Sequence, residues 1–248
     1  MKGFLIGVFS ILLILVLVAG YFGFVPGISN LFGSNKPVDL GVTYTSADSA
    51  SGMAKGKVKH VEITDPGTPQ GSLTFSGQIP AKFSLTQSEV TALINGNQWK
   101  YFPLSDVQVR FNSDNTVEAS GILHLDILKD YALARGVSES DFNDAISKLN
   151  WYTAVQKEMP YYVKGTGSVV STGSAANGVI TFNCIDFKLG RLPIPASQIN
   201  DRKTDLLNLL NSDVLTIPGF SVKNFSISNG QMNFEGTLPA IVGRVGKG

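Results

Sequence analysis

Two residues, Asn229 and Gly230, constrain this chain more tightly than any other pair. They divide the stretch "VKNFSISNGQMNFEGTLP", Val222 to Pro239. Before them Phe225 and Ile227 face one way. After them Met232, Phe234 and Leu238 continue on that face, with Gln231, Asn233, Glu235 and Thr237 opposite. Asn-Gly supplies the two positive φ angles of a tight hairpin turn, so the stretch reads as two antiparallel strands with one buried face.

The same pattern recurs. In "VKHVEITDPGTPQGSLTFSGQIP", Val58 to Pro80, the residues Val61, Ile63, Leu73, Phe75 and Ile79 fill the corresponding slots, and Gly77 matches Gly236. A third version spans Ser105 to Leu123. A fourth long strand, "GVITFNCIDFKL", changes phase between Cys184 and Ile185. Similar slips separate Val222 from Phe225 and Val58 from Val61. A one-residue slip turns core side chains into water unless a bulge absorbs it, so bulged, coiled strands are expected.

Helices fall between the strand pairs. In "LTQSEV", Thr86 is the N-cap, Glu89 completes a capping box and Leu85 is placed to staple against Val90; Gly96 stops the helix. Ser138 and Asp141 repeat the device, with Val137 and Phe142 as staple, and a third helix is expected from Asp126 to Arg135. The last, "PASQINDRKTDLLNLLNS", is apolar on more than one side in its second half. The fold class that follows is α+β: a long, coiled antiparallel β-sheet wrapping one or more helices. Apolar candidates for lining a groove are Val90, Leu93 and Ile94 on one helix and Leu206, Leu207 and Leu210 on another. Each is also an ordinary core position.

Phe4 to Val25 holds 22 residues without a charge. As a helix it spans about 33 Å, enough for a bilayer core of about 30 Å. The expected organisation is a transmembrane signal anchor at 1–25, a flexible Gly/Ser/Asn-rich linker at 26–56, an extracytoplasmic domain at 57–240 and a C-terminal tail at 241–248. Lys2 places the amino terminus in the cytoplasm and the rest outside a cell membrane. It is the only charge before Pro26, so removing it from 20 Lys+Arg leaves 19 against 19 Asp+Glu. A neutral exported part argues against nucleic acid as a partner. With one cysteine, Cys184, no internal disulfide can form.

Catalytic equipment is thin. There are two histidines. His60 sits in a strand, and His124 lies two residues from Asp126, so that pair could share a face. Cys184 lies in an apolar strand, where thiols pack rather than react. No spacing suits zinc or a calcium loop. The expectation is a non-enzyme with no metal and no cofactor. Trp99, Tyr101, Phe102, Tyr161 and Tyr162 read as buried strand starts, with a membrane interface or carbohydrate contact as the alternative.

"FSLTQSEVTALIN", together with Leu192 to Pro239, resembles the bacterial membrane-anchored branch of the tubular lipid-binding (TULIP) superfamily. The likeness runs over residues 57–240, and the insert from Asp126 to Asn150 departs from it. It implies a coiled sheet around a helix with an apolar groove for lipid chains, hence a membrane-anchored protein that carries a lipid-like molecule. The other function left open is a non-catalytic assembly module of the cell envelope, with a filled core and a protein partner.

Overall fold

The computed structural model describes residues 13–25, 27–147, 157–170, 179–201 and 217–247. The architecture is α+β, with strands predominating and, among the described residues, no sheet closed on itself. In sheet A, β1 (Lys59–Glu62) and β2 (Leu73–Ser76) flank β11 (Ile241–Arg244). Sheet B has the order β3 (Ile79–Thr86), β10 (Gln231–Leu238), β9 (Ser221–Ser228). Sheet C is an antiparallel meander of β4 (Leu104–Phe111), β5 (Val117–His124), β6 (Glu158–Val170), β7 (Val179–Leu189) and β8 (Leu192–Ile194).

The Asn-Gly hairpin forms as β9–β10. Ser228 pairs with Gln231, and Asn229 and Gly230 take φ values of 54° and 69°. Two of the three phase slips become bulges, whereas the one expected between Val58 and Val61 does not, because β1 pairs with β11 in unbroken register from Lys59 to Glu62. Glu235 and Gly236 face Asn224 and Val222, leaving Lys223 over; Lys164 and Gly165 face Asp186 and Cys184, leaving Ile185 over. The third hairpin forms as β4–β5, bulged between Ser105 and Gln108.

The stretch Val58 to Pro80 departs from expectation. β1 and β2 do not pair with each other; β11 lies between them, parallel to β1 and antiparallel to β2. The ten residues joining them, with two prolines, form no tight turn and leave room for a third strand. The expected tail is therefore structured from its start, because Ile241–Arg244 supply the central strand of sheet A. The chain also turns at Gly77 (φ 66°) and starts a separate strand, β3, which runs beside β10 for eight residues. Pro80 suggested an end, but β3 is an edge strand, where a missing N–H is tolerated.

Among the helices, α4 (Gln87–Asn95) carries the Thr86/Glu89 capping box. α5 (Leu128–Ala134) and α6 (Glu139–Ser147) follow β5, and the Ser138 hydroxyl accepts from the Asp141 amide at 3.1 Å. α7 (Ala196–Asp201) docks on β7 through Asn200, whose side-chain amide both accepts from and donates to the Cys184 backbone. Val90 and Ile94 of α4 pack on Val107, Val109, Phe111 and Ile227, so α4 bridges sheets B and C. A second core cluster joins Ala81, Val222 and Phe234 within sheet B.

The expected linker is ordered over most of its length. It holds α2 (Ile28–Phe32) and α3 (Ser46–Gly56), the latter capped by Thr45 and Asp48. Leu40 and Val42 are buried against Tyr162, and their amides both donate to Gln108 Oε1. The Ser/Gly content that suggested flexibility serves close packing instead: a Cβ on Gly52 would come within 2.8 Å of Leu93. Residues 13–22 are helical (α1), and the turn after them is held by the Ser34 hydroxyl donating to the Gly20 carbonyl. Among the described residues no helix is long and apolar enough to cross a membrane, and residues 4–12 of the apolar run lie outside them.

Candidate functional site

Alternation along three short strands brings one set of side chains to one face of sheet A. Leu73 and Phe75 come from β2, Val242 and Arg244 from β11, and His60, beside Val242 in register, from β1. Opposite them stand Asn97, Trp99 and Phe102 from the segment after α4, with Tyr131 on α5 and Arg135 at its C-cap, one helical turn apart. With Ile217 these residues line a shallow, open pocket of about 240 Å³.

Trp99 is its fixed wall. The indole is 3% exposed, and its Nε1–H donates to Ser72 Oγ at 3.2 Å. Ser72 is itself held, donating to the Pro69 carbonyl and accepting the Val245 amide on its own carbonyl. Trp99 bridges to Gly246 in antiparallel fashion, and Lys100 and Lys247 add backbone bonds to Val245 and Gln98. Tyr131 lies 5.6 Å from the Trp99 ring, tilted, and the Arg135 guanidinium sits 5.6 Å from the Phe75 ring centre.

The polar side of the pocket carries two guanidinium groups, an imidazole and an amide. Arg135, Arg244 and His60 line it, together with Asn97, and no carboxylate does among the described residues. Glu62 is the register neighbour of Arg244, yet its carboxylate lies against Gly246, where a Cβ would come within 3.0 Å of Oε1. No ion pair joins Arg244 to a carboxylate among the described residues, and burial holds its pKa below the usual arginine value. His60 keeps an open face to solvent, but the protein around it and the Arg244 charge hold its pKa below the ordinary histidine value.

The lining candidates from the sequence are placed elsewhere. Val90 and Ile94 face the core cluster between sheets B and C, and Leu93 packs on α3 at Gly52. Leu206, Leu207 and Leu210 lie outside the described residues. None of the described three lines the pocket. Of the aromatic group, Trp99 and Phe102 line it; Tyr101 and Tyr162 are buried away from it, and burial pushes the Tyr161 and Tyr162 pKa values up to about 12. Arg244 and Val242 were missed because 241–248 read as a tail. The alternation Ile241, Gly243, Val245 on the opposite face was the available signal.

His124 does not meet Asp126. Its Nε2 lies 2.8 Å from Ser105 Oγ and its Nδ1 3.5 Å from Glu158 Oε1. The Cys184 thiol is buried, and burial followed by the Asp186 charge raises its pKa, away from the thiolate form. Among the described residues no three His, Cys, Asp or Glu side chains gather as a metal site would require. No family model, curated protein or solved structure matches the chain.

Proposed function

We propose that this protein is anchored in the cell membrane by Phe4 to Val25, with its amino terminus in the cytoplasm, and that its extracytoplasmic part binds or carries a lipid-like apolar molecule. The observation that carries the proposal is the pocket itself: aromatic and aliphatic walls with a rigid tryptophan make up seven of its eleven lining residues, and polar side chains gather at one side, the ordinary composition of a small-molecule site. The resemblance to the TULIP superfamily supports it. On that view sheets B and C curl about α4, and the charge-free run of 22 residues crosses the bilayer.

The test is native mass spectrometry of the full chain extracted in mild detergent. A one-to-one lipid adduct, or uptake of added lipid, is the expected result. A bare mass that takes up nothing would point to the other function, a non-catalytic envelope assembly module. One observation favours that module: Val90 and Ile94 of α4 pack directly on core residues of sheets B and C. Its prediction is a protein neighbour recovered by cross-linking in intact cells, without lipid.

A further inference from the structure

The walls of the pocket and its charges make different demands on a ligand. Phe75, Trp99 and Tyr131 offer aromatic faces. Arg244 projects among them from the central strand of sheet A, partly buried and without a carboxylate partner among the described residues. Arg135 enters from the C-cap of α5, and His60 stands on the neighbouring strand. The Arg244 guanidinium, partly buried and with no carboxylate beside it among the described residues, is better satisfied when a negative group completes it. Arginine's planar fork is suited to a carboxylate or a phosphate oxygen pair.

We propose that the pocket selects an anionic amphiphile: a carboxylate or phosphate head held by Arg244, with Arg135 and Asn97 beside it, and a short apolar body against Trp99, Phe75 and Tyr131. This rests on the lipid-binding reading above and adds the sign of the head group. The volume, about 240 Å³, is below that of a drug-sized site, so the part of the ligand the pocket holds is short. A longer tail would have to leave by the mouth. His60 then becomes a reporter: a bound anion favours the charged imidazole and raises its pKa, opposing the present effect of Arg244.

The experiment uses the full chain in phosphatidylcholine nanodiscs, with empty discs as the partitioning control. Octanoate, octyl phosphate, octanol and octylamine are titrated by intrinsic tryptophan fluorescence, and His60 is followed by NMR. The expected result is that octanoate or octyl phosphate binds at least about tenfold more tightly than octanol, as one charge-assisted contact would give. Octylamine is rejected, and the His60 pKa rises on binding. Arg244→Met removes the preference for octanoate and octyl phosphate over octanol. Should that variant fail to fold, Arg135→Gln, at a helix C-cap outside the sheet, must narrow the gap.

Equal binding of octanoate and octanol would overturn the anion proposal while leaving an apolar ligand in place. No binding of any probe to folded protein would overturn both. Preference for octyl phosphate over octanoate assigns the head to the phosphate class, as a lipid head group would be; the reverse assigns a free acid.

Discussion

The Lys55 ammonium lies 2.7 Å from the Glu89 carboxylate, which is buried at the start of α4. That carboxylate also accepts from the Thr86 amide and the Ser51 hydroxyl. One side chain thus caps its own helix and clamps α3 onto it, converting a Ser/Gly-rich stretch into part of the fold. Replacing Glu89 with Gln keeps the shape and removes the charge. The expected loss is about 1.5–3 kcal/mol, the range for hydrogen bonds to charged groups. Urea denaturation measures it, and cleavage by trypsin after Lys55 or Lys57 should become faster in the variant. Unchanged stability would mean that α3 is held by packing alone.

The same pair sets an acid limb. Burial pushes the Glu89 pKa up, but the bonds from Lys55, Ser51 and Thr86 outweigh it and hold the value below the ordinary glutamate range. A carboxyl whose folded pKa is depressed adds stability above its unfolded pKa, near 4.5. That contribution disappears as the pH falls through the folded value. Wild type should therefore lose stability below about pH 4.5 more steeply than Glu89→Gln, whose acid limb is flatter. Urea midpoints between pH 3 and pH 7 compare the two slopes; parallel slopes would refute the linkage.

Ending the chain after Ala240 removes β11 and, with it, the backbone partners of both β1 and β2. It also removes Gly246, the bridge partner of Trp99, and Arg244 from the pocket. If 241–248 were a tail, nothing would change. The structure predicts instead that Trp99 emission shifts to the red and that sheet A amides exchange freely, while sheet C keeps its protection. The chain has two tryptophans, so the fluorescence is read in a Trp151→Phe background. Emission and exchange identical to the parent would contradict the central placement of β11.

What could be read from the sequence was local. Asn229-Gly230, the Thr86/Glu89 box and the phase change at Ile185 each act within a few residues, and each appears where the pattern put it. Sheet A was illegible for the opposite reason. Its central strand comes from the far end of the chain and slides between two strands that look like a hairpin, and no short-range signal carries that choice. The pocket inherits the difficulty. His60 and Arg244 belong to opposite ends of the domain, and only the parallel pairing of β1 with β11 brings them to one face. Glycine and serine content misled at 46–56 because small residues serve helix packing as well as flexibility.

Two glycines of the β9–β10 hairpin separate conformational strain from steric exclusion. Gly230 has φ 69° with nothing near its missing Cβ, so Ala there meets only the cost of a left-handed backbone, about 1 kcal/mol. Gly236 sits at the bulge, where a Cβ would come within 2.0 Å of the Ser221 carbonyl oxygen. That neighbour is backbone of the paired strand and cannot swing away. Gly236→Ala should therefore cost about 3 kcal/mol, the upper end for overpacking a tight interior. It must also open the bulge that lets Val222 and Phe225 both face inward. Urea midpoints rank the two variants, and loss of protection at the Val222 and Gly236 amides locates the damage. Equal midpoints would mean that the strands approach less closely than the bulge requires.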